Sequence, residues 1–285
     1  MVIANTVQRG RSMNWQEHHL KNAKRCWTLG IVTIVGAAGF GLLDLHFHGA
    51  KDMAGRIMFM AECWLFGLSF LGIGFAQRRK AAMKPAAAGP SKMEEEGART
   101  FPHSEMMLKK AASLHPVLRY FSVDGEVLLE FRETGGRLLL LAELLGLRRF
   151  MSRSFVLTDR LGRPWVIYRQ KAGINPPIEA FLPDGSKLAV YKEGMLKAQI
   201  AVSDQNGTTI GWVNKDDLLG TTFHIADGSG QQIIRFFNGG LPSRNFDYFT
   251  SGDDLINISG GLASDERLYL RFIGLPAFIK IWYGK

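Results

Sequence analysis

Three aspartates, Asp159, Asp204 and Asp227, each stand three residues ahead of a glycine: Gly162, Gly207 and Gly230. Regularly spaced carboxylates are one ingredient of a calcium site, but such a site needs about 6–8 oxygen ligands, and no ligand set of that size is visible here. Short Asp side chains also bond their own turn backbone, and a turn role accounts for all three. The histidines of residues 101–285 are His103, His115 and His224, without metal-binding spacing, and His224 in "TTFHIAD" reads as a packed strand residue. His46 and His48 in "DLHFHGAKD" share a face only if the chain is extended there, and an interfacial loop explains them without a metal or haem. Glu62 interrupts an apolar run, where an acid is functional by default; snorkelling or pairing with Arg56 is the simpler account. No phosphate loop, dinucleotide fingerprint, zinc-protease helix or nucleophile elbow occurs. The chain therefore reads as non-catalytic, without cofactor or metal.

One cluster has a binding chemistry. In "LRRFMSR", Arg148, Arg149 and Arg153 interleave with Phe150 and Met151, and Arg160 and Arg163 follow. Basic residues around an apolar tip suit anionic headgroups, each worth about 1 kcal/mol near the surface. The competing reading is a solvated charged face.

These residues need a frame. Residues 1–100 carry 13 Lys and Arg against 7 Asp and Glu; residues 101–285 carry 22 against 19. The basic excess thus gathers beside the apolar segments, which points to membrane topology and away from nucleic acid. Residues 26–43 and 57–76 match the roughly 20 apolar residues that cross a bilayer. Lys21, Lys24 and Arg25 precede the first span, and Arg78, Arg79, Lys80 and Lys84 follow the second, while the loop between offers only Lys51 and Arg56. Both termini are therefore expected in the cytoplasm of a multi-pass cell-membrane protein. The only cysteines, Cys26 and Cys63, lie in the spans, so no disulfide framework is implied. Small residues every fourth position (Thr33, Ala37, Gly41; Cys63, Gly67) let the spans pack on each other, and the same ridges permit a homodimer.

The expected domains are a transmembrane hairpin over 1–84, a flexible Ala/Pro/Gly-rich linker over 85–103 and a β domain over 104–285. Ser104 is expected to cap a short helix, "EMMLKKAASL". Hairpins follow around Gly125, Gly162, Gly185, Gly207 and Gly230, and a sixth around Gly252, giving about twelve strands of a meandering antiparallel barrel or sandwich. "RLLLLAELLGLRRF" leans towards helix. The tail, Asp265–Tyr283, is apolar nearly all round: either a helix enclosed by protein or a last hairpin turning at Gly274-Leu275-Pro276.

"SFVLTDRLGRPW", "IAVSDQNGTTIGWVNK", "FHIADGSGQQI" and the apolar tail resemble the superfamily that joins tubby C-terminal domains, LURP-one-related proteins and phospholipid scramblases. The resemblance covers about residues 117–285. It implies a twelve-stranded antiparallel β-barrel around a C-terminal hydrophobic helix. Scramblases of this family carry a C-terminal hydrophobic segment and a Cys-rich region, whereas two spans here precede a cysteine-free domain. Asp253-Asp254 is the nearest counterpart of their acidic calcium segment. The resulting expectation is a membrane-tethered binding module for anionic phospholipid or a membrane-associated protein, with a scramblase-like transporter as the alternative. The topology is testable: in intact cells Ala50→Cys reacts with an impermeant thiol reagent and Ser91→Cys does not. The reverse pattern overturns the orientation.

Overall fold

A computed structural model describes residues 15–48, 53–83, 104–111, 113, 115–135, 150–173, 175–194, 199–215, 221–239, 249 and 253–283. They fall into two compact units, a helix pair and a β-barrel. Helices α1 (Trp15–His48) and α2 (Met53–Met83) are both long and apolar enough to cross a membrane. They run antiparallel, and glycine sets how closely they approach. A Cβ on Gly30 would lie 2.8 Å from the Gly67 carbonyl oxygen, and one on Gly74 would lie 2.2 Å from the Trp27 ring. Gly41 meets Met60 in the same way. Gly41 and Gly67 belong to the four-residue ridges read from the sequence, whereas Gly30 and Gly74 do not. Away from this seam Val32, Leu42, Met58 and Phe66 are exposed. Helix α1 continues through His48, so the extended backbone that a His46–His48 pairing requires is not adopted.

The second unit is a closed barrel of twelve antiparallel strands. They are β1 (Glu105–Lys110), β2 (Val117–Phe121), β3 (Val127–Thr134), β4 (Arg153–Asp159), β5 (Pro164–Gln170) and β6 (Ile178–Phe181), then β7 (Lys187–Glu193), β8 (Ile200–Ser203), β9 (Thr209–Lys215), β10 (Thr222–Asp227), β11 (Gln232–Phe237) and β12 (Asp254–Ile258). Neighbours in sequence pair throughout, and β1 pairs with β12 to close the ring. Five hairpins share one turn. Gly125, Gly162, Gly185, Gly207 and Gly230 all have φ between 79° and 87°, a left-handed geometry that glycine adopts without strain. Each turn is accompanied by a register shift in its strand pair, the one-residue bulge that suits a short hairpin loop. All five turns lie at one end of the barrel, here the turn end. The longer connections leave from the other, here the loop end.

Two expectations need correction. "EMMLKK" is strand β1, not a capped helix. Met, Leu and Lys are good helix formers, but closure needs this segment to pair with both β2 and β12, whose edges would otherwise lie open. The three buried residues in a row, Met106, Met107 and Leu108, show why alternation did not reveal it. Met106 and Leu108 join the main core, whereas Met107 and its cross-strand neighbour Phe121 are buried on the opposite face, where Phe121 lies against Phe249. Of the hairpin expected around Gly252, the second arm is β12, which pairs with β11 and β1; the first arm lies outside the described residues apart from Phe249. The Leu-rich stretch 137–149 lies outside the described residues.

The tail is helical: α3 (Gly260–Ser264), α4 (Glu266–Phe272) and α5 (Leu275–Tyr283). Asp265 caps α4 by accepting the Leu268 amide, and the helix breaks at Ile273-Gly274 before Pro276. Inward strand residues and this tail share one apolar core. Phe278 has no exposed surface and meets Phe131, Phe155 and Tyr168 edge-on, at 5.0–5.3 Å between ring centroids. Polar contacts fix its register. Tyr120 Oη donates to the Ile273 carbonyl at 2.8 Å and Tyr191 Oη to that of Arg271 at 2.9 Å. Burial pushes both phenols above their ordinary range, so they remain donors at physiological pH. At the break, a Cβ on Gly274 would come within 2.2 Å of Tyr168 Oη. Removing the central ring tests this core: Phe278→Ala should cost about 3–5 kcal/mol in denaturant unfolding. A loss below about 1 kcal/mol would mean that the ring is not buried as described.

Candidate functional site

The turn aspartates are occupied by their own backbone. Asp159 Oδ1 accepts the amides of Leu161 and Arg163, both at 2.9 Å, and Oδ2 accepts Arg163 Nε at 2.6 Å. Asp204 Oδ1 accepts the amides of Asn206 and Thr208, and Asp227 Oδ1 those of Ser229 and Gln231. The Ser229 hydroxyl adds a bond that holds the Asp227 carboxyl below its ordinary range. Such an acid stabilises the fold above the usual carboxylate range, and its contribution is lost as pH falls through the lowered value. These carboxylates serve the turns. Among the described residues no three His, Cys, Asp or Glu side chains converge as a metal site.

Asp253 and Asp254 are likewise engaged, by Lys109 at 3.2 Å and by Lys280 of α5 at 2.9 Å. Asp254 also accepts the Gly239 amide at 2.8 Å. Burial pushes its carboxyl above the ordinary range, against the pull of Lys280. His224 sits in β10, in register between Asn214 and Arg235.

The arginine cluster divides. Arg148 and Arg149 lie outside the described residues. Arg153 begins β4 at the loop end, while Arg160 and Arg163 follow its last residue at the turn end. Seven strand residues separate the two ends by roughly 20 Å. Arg153 is also committed to the barrel wall: its Nε donates to Glu133 Oε1 at 2.7 Å, and its guanidinium lies 4.7 Å from the Phe155 ring. Arg163 is bound to Asp159. Phe150 is exposed at the loop end, and Leu161 at the turn end.

Another set of cations stands exposed. Lys110 ends β1, Arg132 lies near the end of β3, Arg169 and Lys171 flank the end of β5, and Lys192 lies near the end of β7. All five are at the loop end. They form no charge run, because one or two come from each strand, so a search for basic runs passes over them. The sequence signal is a lysine or arginine closing alternate strands: "LKK", "FRE", "YRQK" and "YKE".

The Arg153–Glu133 pair has a direct test. Glu133 has no exposed side-chain surface, so Arg153→Gln removes a charge-assisted hydrogen bond from a buried carboxylate and should cost about 1.5–3 kcal/mol. Arg153→Met with Glu133→Leu should recover most of that loss. A stable Arg153→Gln would return this arginine to the surface.

No protein-family model matches the chain, and neither does any curated protein sequence. A solved structure of a protein from Arabidopsis thaliana aligns with 65% of this chain and 95% of its own, at 14% identity and a TM-score of 0.40.

Proposed function

We propose that this chain is a membrane-tethered, non-catalytic barrel of the tubby-like superfamily that binds anionic phospholipid at the cytoplasmic face. In this reading α1 and α2 cross the membrane, and the barrel is closed around its C-terminal helix. The carrying observation is the outer surface of the helix pair. Only 22% and 11% of the two most apolar windows are buried, whereas a soluble core helix would bury most of its surface. The cations agree with the orientation. The His19–Gln77 hydrogen bond joins the start of α1 to the end of α2, and Lys21, Lys24, Arg25, Arg78, Arg79 and Lys80 are all exposed there. That is the arrangement of a cytoplasmic end. With the barrel interior occupied by aromatic and aliphatic side chains, binding falls to the outer surface.

The test uses the full chain in nanodiscs of phosphatidylcholine, offered vesicles of phosphatidylcholine with or without about 30 mol% phosphatidylserine. Binding to the anionic vesicles should be at least about tenfold stronger and should collapse near 1 M salt, where the Debye length is about 3 Å. Equal binding to both vesicles defeats the lipid reading and favours a protein partner. Accelerated lipid flip-flop in proteoliposomes would establish the transporter instead.

A further inference from the structure

We propose that the barrel's loop end is the face that docks on an anionic lipid surface, an inference that rests on the lipid-binding reading above. The two ends carry opposite charge. At the turn end, the five turns hold Asp124, Glu126, Asp159, Asp184, Asp204 and Asp227 against Arg160 and Arg163, a net charge of −4. At the loop end none of the described carboxylates is exposed. Glu133 is taken by Arg153, Asp253 by Lys109 and Asp254 by Lys280. Glu179 accepts Lys187, and Glu193 accepts the Tyr283 hydroxyl. Glu179 also stands opposite Arg169 in the β5–β6 register, and the tyrosine hydroxyl leaves the Glu193 charge in place. The five exposed cations Lys110, Arg132, Arg169, Lys171 and Lys192 therefore face two half-buried acids and leave an excess of positive charge among the described residues.

Their spacing suits an extended surface. They stand on β1, β3, β5 and β7, so neighbouring charges are about 10 Å apart along the rim, close to one Debye length in physiological salt. Three of the five are lysines, compact point charges that suit a diffuse anionic field better than the planar fork of arginine does. Phe150 adds an apolar element: it is 53% exposed and lies just before β4, between the strands that carry Arg132 and Arg169. A cationic rim with an exposed aromatic ring matches a headgroup layer, where charge meets the boundary of the acyl chains. The turn end, with excess acid, is repelled by the same surface.

The experiment keeps the full chain in phosphatidylcholine nanodiscs and measures co-flotation with the phosphatidylserine vesicles described above. Lys110→Gln, Lys171→Gln and Lys192→Gln together should lower binding at least about tenfold and flatten its salt dependence. Phe150→Ala should weaken binding while leaving the salt dependence as it was. Removing equal charge from the turn end, with Arg160→Gln, Arg163→Gln and Arg267→Gln, the last exposed at the start of α4 just beyond the turn-end terminus of β12, should change binding less than about twofold. If the turn-end set loses binding and the lysine set does not, the lipid reading survives and the docking face is wrong. If the unaltered chain shows no preference for phosphatidylserine, the reading and the face fail together. Unfolding midpoints equal to the unaltered chain's verify that each variant is folded.

Discussion

A closed ring of twelve strands has an interior that must be filled. Eight strands enclose a space that side chains alone can occupy, and diameter grows with strand number. Here side chains of the C-terminal helices share the apolar core of the strands. Phe272, Leu275, Phe278 and Ile279 have no exposed surface and join the inward strand residues in one core. Several polar groups of the tail are also met, although Arg271 Nε is buried without a hydrogen-bond partner among the described residues. Tyr120 and Tyr191 donate to carbonyls near the end of α4, where helical partners run out, and Lys280 finds Asp254 and Asn238. Gly274 permits the break because no side chain fits beside Tyr168. Without the tail, the ring would expose an apolar interior to water. The wall and its filling thus form one cooperative unit.

That constraint governs where a site can be. A filled barrel offers its ends and outer wall, and the two ends are built differently. Five short turns of one geometry make the turn end regular. The connections at the loop end are longer, and several of them lie outside the described residues. Charge follows the same division, which is why five arginines close together in sequence do not make one surface. A seven-residue strand carries the chain from one end to the other between Arg153 and Arg160.

Much of the wall was legible in the sequence. The five glycine turns mark five hairpins, and alternation fixes their inward residues. The expected total of twelve strands matches, but its membership differs. Strand β1 was hidden in "EMMLKK" by helix-forming residues and by burial on both faces, whereas β12 was found with the wrong partner. Both errors concern ring closure, a contact between residues about 150 apart in sequence, which local pattern cannot report. The tail was legible as a segment needing cover, and its helix rather than hairpin form is set by contacts on every side. The exposed cations were missed for a further reason. Their grouping depends on which strand end meets which, and that is a property of topology.

The opposite charge of the two ends follows from the turns themselves. A short hairpin with a bulge leaves amide groups unpaired, and an aspartate at its first position accepts two of them, as Asp159, Asp204 and Asp227 do. Repeating that turn concentrates carboxylates at one end for architectural reasons alone. At the other end, acids are drawn inward to neutralise buried or wall cations: Asp254 beside Lys280 of the tail, and Glu133 beside Arg153. The remaining cations stay outside because nothing buried requires them. A barrel with oppositely charged ends results from two local rules, turn chemistry at one end and charge compensation at the other.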